Sequence, residues 1–214
     1  MTEPAFVTET RTAYDTVAAS YAEELRDLLD DSPWDRAVLG TFAELAGKSG
    51  PVGDLGCGPG RLTGYLASLG LDVFGVDLSP GMVEVARKAH PGLRFEVGSM
   101  AALDLADGGL AGVVAWYSLI HTPPEELPAV VAELARVLAP GGRLLTGFHV
   151  GDERRHIAHG YGHDISLNAY RLRPDFVAEL CEGAGLVVEA RVVREPQPPY
   201  EKAPQAYLLA RKPG

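Results

Sequence analysis

The residues with the clearest chemical signal are Val52-Gly53-Asp54-Leu55-Gly56-Cys57-Gly58-Pro59-Gly60. Glycines at this density allow positive φ and let the backbone approach a ligand closely. Their spacing decides which ligand. A dinucleotide loop reads G-x-G-x-x-G, with amides facing a pyrophosphate. Here the pattern is G-x-G-x-G, and Arg61 stands where the third dinucleotide glycine would be. Asp54 precedes the turn; its carboxylate would repel a pyrophosphate but attract an ammonium group. Asp77 follows, closing a second apolar run, where an acidic side chain can accept both hydroxyl protons of a ribose. The plainer reading of Asp77-Leu78-Ser79-Pro80 is a helix cap, and the glycine loop upstream tips the balance towards ribose.

Two histidines end apolar runs. His121 closes Tyr117-Ser118-Leu119-Ile120-His121, and His149 follows Phe148. An unperturbed imidazole titrates near pH 6.5, so either could serve as base or substrate contact. The alternatives for His121 are a hydrogen bond to the Thr122-Pro123-Pro124 loop or contact with a cofactor alone; His149 carries the same ambiguity. Tyr14 and Tyr21 lie seven apart and share a helix face. His156, His159 and His163, with Asp152, Glu153 and Asp164 nearby, would form a metal site on a continuous helix. Gly160 and Gly162 oppose that helix, so substrate-facing or solvated histidines are favoured and no metal is assigned. Tyr170, Arg171 and Arg173 suit an anionic substrate group or a solvated helix start.

These residues need elements to hold them. Thr8 to Leu45 reads as helices: Tyr14, Val17, Ala18, Tyr21, Leu25 and Leu28 recur at helical spacing, and Ser32-Pro33 opens a second helix. Strand and helix then alternate: a strand over 51–55, helix over 61–69 ended by Gly70, strand over 72–76, and a helix opened by Ser79-Pro80 with Ser79 as N-cap. Further strands cover 93–97, 112–117 and 143–148, with a helix from Pro124 to Leu138 that stops at Ala139-Pro140-Gly141-Gly142. Alternation implies a doubly wound parallel sheet. Residues 152–168 look like a polar insertion. A helix from Arg173-Pro174 to about Gly185 precedes strands over 186–193 and 205–211. Their short Pro-rich connection leaves no room for a crossover helix, so the two pair antiparallel. The chain thus divides into a helical lid (1–47), a binding core (51–150), a substrate-side insertion (151–172) and a closing helix with a strand pair (173–214), all in one domain.

Composition narrows the function. The chain is 46% apolar with a net charge of −10, without the basic stripe of a nucleic-acid binder. No apolar run approaches the roughly 20 residues that span a bilayer. The Met1-Thr2-Glu3-Pro4 start is unlike a signal peptide. Two distant cysteines, Cys57 and Cys181, do not make a disulfide framework. The expectation is a cytoplasmic protein with a small-molecule partner, not a membrane or nucleic acid; oligomeric state is not legible.

The motifs together resemble the class I S-adenosylmethionine-dependent methyltransferases. D-L-G-C-G-P-G at 54–60 resembles their first motif, G-V-D-L-S at 75–79 the second, G-S-M at 98–100 the adenine-edge motif, and L-A-P-G-G-R-L at 138–144 the turn before the fifth strand. The resemblance implies a Rossmann-like seven-stranded α/β sheet, mostly parallel with an antiparallel last strand, and S-adenosylmethionine as cofactor, released as S-adenosylhomocysteine. It implies that Gly56, Cys57, Gly58, Gly60 and Arg61 form the loop under the methionine part and that Asp54 helps hold its amino group. Asp77 and Ser79 would lie at the ribose, Leu78 and Met82 beside the adenine, Gly98, Ser99 and Met100 at its edge, and Trp116 and Tyr117 beyond the fourth strand. Tyr14 and Tyr21 would belong to a lid, one of them near the cofactor carboxylate. Two positions depart from the family pattern: Ser99 where Asp is common, and Leu110-Ala111 where an aromatic-Asp pair is common. The expected activity is in-line methyl transfer to a small organic acceptor, at oxygen or nitrogen rather than carbon. The rival readings are an NAD(P)-dependent oxidoreductase and a non-catalytic binder of the same cofactor.

Overall fold

The computed structural model describes residues 3–47, 49–197 and 201–214. The first two residues of the chain start and residues 198–200 of the Pro-rich connection lie outside the described residues. In chain order the elements are α1 (Ala5–Glu24), α2 (Pro33–Ala46), β1 (Val52–Leu55), α3 (Arg61–Ser68), β2 (Val73–Asp77), α4 (Pro80–Ala89), β3 (Arg94–Val97), β4 (Leu110–Trp116), a 3₁₀ turn (Leu119–His121), α5 (Leu127–Val137), β5 (Leu138–His149), β6 (Arg154–Gly160), β7 (His163–Tyr170), α6 (Pro174–Gly183), β8 (Val187–Arg194) and β9 (Gln205–Arg211). No described helix is long and apolar enough to cross a membrane.

Seven strands form one sheet in the order β3-β2-β1-β4-β5-β9-β8. Pairing is parallel from β3 to β5, and β9 runs antiparallel to both β5 and β8. This is the mixed sheet expected from the motifs and from the short β8–β9 connection. Every residue of β1 and β4 is buried, as central parallel strands covered on both faces require. Side-chain alternation splits the core. Val113, Ala115, Leu144 and Leu208 pack with α5 and α6 on one face. Val114, Trp116, Leu145 and Leu209 pack with α2 and α3 on the other.

Three local expectations change. Helix α1 stops at Glu24, so Leu28 lies in the following turn, 43% exposed, instead of on the packed stripe. Strand β5 takes over directly from α5 at Leu138. Leu110 then pairs with Leu138 and Gly112 with Arg143, so residues 139–142 loop out as a bulge inside the strand pair rather than ending a helix.

The His-rich insertion is an antiparallel hairpin, β6 with β7. Its two-residue turn, Tyr161-Gly162, has positive φ at both positions (54° and 78°), the mark of a type I′ turn. A strand period replaces the helical one, so the three histidines share no face. His156 pairs with Ser166 at 3.1 Å and His159 with Asp164 at 3.0 Å, both exposed. Among the described residues no group of three or more metal-ligating side chains gathers anywhere.

Candidate functional site

Order reverses at β1: β2 lies on one side and β4 on the other, and the loops after these strands diverge. Doubly wound sheets bind ligands in such a crevice, at the carboxyl ends of the strands. A cavity partly open to solvent lies there. It is walled by the ends of β1 (Gly56, Gly58), β2 (Asp77, Leu78, Ser79), β3 (Gly98, Ser99, Met100) and β4 (Trp116, Tyr117), with Met82 of α4, His121 of the 3₁₀ turn, and α1 lying across it.

The glycine turn owes its shape to specific neighbours. Gly56 has φ +78°, and a Cβ there would stand 2.3 Å from the Ser118 Cβ, so no larger residue fits without moving the β4 loop. Gly58 has φ +54° and open space, which leaves its amide free to donate to Asp77 Oδ2 at 2.7 Å. Asp77 Oδ1 accepts from the Ser79 amide at 2.9 Å. Burial raises the Asp77 pKa, and the Ser79 and Gly58 amides oppose that rise. The cap of α4 is Ser79, whose Oγ accepts from the Met82 amide at 3.0 Å. Asp77 is therefore free of capping duty and faces the cavity.

Five of the expected residues do not line this cavity. Asp54 shares the face of β1 with Val52, so strand alternation sends its side chain under α3 instead of up to the strand end. There Thr63 Oγ1 donates to Asp54 Oδ2 at 2.6 Å, and the residue is only 1% exposed. Burial pushes the Asp54 carboxyl up to about 7, against the Thr63 hydrogen bond. Cys57 is buried against Val83, Ala86 and Phe95 beside α4. Gly60 does not touch the cavity either; a Cβ there would press on Phe95 at 2.8 Å, so this glycine serves packing. Arg61 opens α3, with its charge felt at Tyr21 and Asp54. His149 also lies off the cavity: its ring stacks at an angle on Tyr117 (4.9 Å) and its Nδ1 meets Gln205 Oε1 at 2.9 Å.

His121 lies on the cavity wall, 9% exposed, with both ring nitrogens engaged. Nδ1 lies 3.0 Å from the Asn168 carbonyl oxygen and Nε2 lies 2.7 Å from the Tyr14 hydroxyl. A carbonyl only accepts, so Nδ1 carries the proton and Nε2 accepts from Tyr14. Burial lowers the His121 pKa to about 4, against the pull of the Asn168 carbonyl. The near-neutral titration expected of this imidazole is therefore replaced by a neutral ring across the ordinary pH range. Burial also raises Tyr14 well above 10.

Both tyrosines of α1 line the cavity, edge to face at 5.8 Å, and Tyr21 packs on Tyr161 of the hairpin turn at 4.8 Å. Trp116 stacks on Tyr207 at 5.1 Å, and Tyr117 holds φ +53°, a left-handed conformation costly for a non-glycine residue. Ser99 lines the cavity, although its Oγ accepts from the Ala101 amide at 3.2 Å.

Sequence reasoning missed the start of α1. Phe6, Val7, Thr10 and Arg11 also wall the cavity. The seven-residue interval from Tyr21 to Tyr14 continues to Val7, a signal that was present in the sequence. Tyr170, Arg171 and Arg173 do not reach the site; Arg171 pairs with Glu153 and Arg173 precedes α6.

The arrangement fits S-adenosylmethionine. It offers a glycine cradle, a carboxylate at the ribose position, and aromatic faces of Tyr14, Tyr21, Trp116 and Tyr117 that attract a cation. Asp54 Oδ1 is buried with no hydrogen-bond partner among the described residues.

Residues 52–142 match a family described as a methyltransferase domain. The chain is similar to a demethylmenaquinone methyltransferase of Beutenbergia cavernae, 34% identical over 62% of this chain and 54% of the relative. The chain spans about half the length of the relatives it matches. In structure it is similar to a SAM-dependent methyltransferase of Methanosarcina mazei (TM-score 0.72, 18% identity, 81% of this chain and 97% of that one). It is also similar to the 1,6-didemethyltoxoflavin-N1-methyltransferase of Burkholderia thailandensis, solved with 1,6-didemethyltoxoflavin and S-adenosylhomocysteine (TM-score 0.71, 22% identity, 100% and 93%).

Proposed function

We propose that this chain is a class I S-adenosylmethionine-dependent methyltransferase that transfers a methyl group from that cofactor to a small organic acceptor, a reading supported by the methyltransferase-domain match and the similar relatives. The observation that carries the reading is the Gly56–Gly58 turn facing the uncapped Asp77 carboxylate within one cavity. When bound, the cofactor supplies a methyl group on a positively charged sulfur, electrophilic without further activation.

The residues of the chain then have three tasks. Asp77 accepts from the ribose hydroxyls, and the Gly56 and Gly58 backbone lies under the methionine part. The rings of Trp116, Tyr117, Tyr14 and Tyr21 keep water out and favour a cation. Tyr14 holds the acceptor. Its proton is committed to His121 Nε2, so its oxygen presents lone pairs to the cavity and can take a hydrogen bond from an acceptor O–H or N–H. That favours oxygen or nitrogen over carbon as the methylated atom. With His121 neutral and Tyr14 held protonated, the wall offers alignment rather than a strong base. Holding nucleophile and methyl in line at ~3 Å is the main source of rate. A relative named for demethylmenaquinone and a neighbour holding 1,6-didemethyltoxoflavin support a small-molecule acceptor.

Calorimetry with S-adenosylmethionine and S-adenosylhomocysteine tests the reading. Micromolar binding to the wild type that weakens at least about tenfold in Asp77→Ala, roughly 1.4 kcal/mol or more, is the expected result. NADH binding instead would return the protein to the oxidoreductases. Tight cofactor binding without methyl transfer across a broad set of phenols and amines would make it a binder.

A further inference from the structure

Two neighbouring residues of α1 reach opposite walls of the cavity. Tyr14 reaches His121 at the end of β4. Asp15, about 100° further round the helix, reaches α4. Its Oδ1 accepts from Ser79 Oγ at 2.6 Å and from the Gly81 amide at 2.9 Å. The first amides of a helix lack partners within it and favour a negative charge. A carboxylate of one helix therefore completes the cap of another. Ser79 connects this contact to the site, since its amide donates to Asp77 Oδ1 at 2.9 Å. Hydrogen bonds thus run unbroken from α1 through Ser79 to the Asp77 carboxylate. The approach is close: a Cβ at Gly81 would lie 3.2 Å from Asp15 Oδ1, 3.3 Å from Asp15 Cα and 3.4 Å from Ala18 Cβ.

We propose that Asp15 is a positioning residue that fastens α1 to the turn carrying Asp77 and thereby sets how long the cofactor stays bound. This rests on the reading that the ribose lies at Asp77. Asp15 does not line the cavity and acts through Ser79 and Gly81. Its side chain is outside the packed seam of Val17, Ala18 and Met82, so its removal leaves the fold in place. The position of α1 over the cavity then depends on the Tyr14 and Tyr21 contacts, the Asn168–Glu9 hydrogen bond and that seam.

The test compares wild type, Asp15→Ala and Asp15→Asn by stopped-flow release of S-adenosylhomocysteine and by amide hydrogen exchange at Gly81. In Asp15→Ala release should quicken about five- to tenfold, the scale of a lost cap, and KM for the cofactor should rise with kcat unchanged. Gly81 exchange should quicken in the ligand-free protein. Asp15→Asn keeps an accepting oxygen and should stay within about threefold of wild type on each readout. Unchanged release with faster Gly81 exchange would make Asp15 a structural clasp only and overturn the proposal. Unchanged release and unchanged exchange would overturn it as well. A wild type that binds no S-adenosylhomocysteine sinks the cofactor reading, and this proposal with it, whereas normal wild-type binding with an inert Asp15→Ala sinks this proposal alone.

Discussion

Burial moves His121 and Asp54 in opposite directions, because in each it disfavours the charged form. His121 falls from 6.5 to about 4, and Asp54 rises from 3.8 to about 7. The signs of their contributions to stability follow by linkage. The His121 share is fully present above about pH 6.5 and is lost as pH falls towards 4, because the unfolded imidazole takes up the proton first. The Asp54 share is fully present below about pH 4 and is lost as pH rises through 7, because the unfolded carboxyl ionises first. Each shift is on the order of a few kcal/mol, so in the ligand-free wild type they largely cancel between pH 4 and 7. Thermal unfolding of single variants should separate them. Asp54→Asn leaves the imidazole alone, and its Tm should fall on acidification from pH 7 to 5. His121→Asn leaves the carboxyl, and its Tm should rise over the same interval. Parallel slopes in the two variants would refute the assignment. The residue types at 77, 98–100, 116–117 and 121 were legible as cavity-wall residues because each lies at or just beyond the carboxyl end of a strand. Asp54 was not, because which face a strand residue takes depends on what covers that face.

Glycines that look alike in the sequence differ once their elements are known. Gly40 lies in the interior of α2 with nothing within 4 Å of a prospective Cβ. Gly40→Ala should therefore stabilise by about 1 kcal/mol, the helix-propensity difference. Gly162 also has open space, but it holds φ +78° in the hairpin turn. Gly162→Ala should destabilise by about 1–2 kcal/mol through backbone strain alone. Chemical denaturation of the two variants checks both signs. The hairpin is the element the sequence concealed. Polar residues, interspersed glycines and histidines three and four apart mask the period-two pattern, and the turn places Tyr rather than the usual Asn or Asp before Gly162. What supports Tyr161 there is its ring contact with Tyr21, a partner more than a hundred residues away.

The whole molecule holds two tryptophans in contrasting places. Trp116 is buried in the cavity wall, whereas Trp34 is half exposed on α2 beside a separate apolar groove formed with β8 and β9. Cofactor binding should change the intrinsic fluorescence of Trp34→Phe as fully as that of wild type. It should also raise Tm at saturation, by ~2.7 kcal/mol of stability at a hundredfold excess over Kd. A signal that disappears with Trp34→Phe would place the ligand in the wrong groove. The sequence by itself determined the alternation of strands and helices, the sheet they form and the turn at 54–60, because periodicity and glycine spacing are local properties of the chain. Only the tertiary structure decided that α1 spans the cavity between α4 and the hairpin, that Tyr14 donates to His121, and that Asp15 caps α4. Those contacts join residues at least 64 positions apart, and no local pattern encodes which distant surfaces will be brought together.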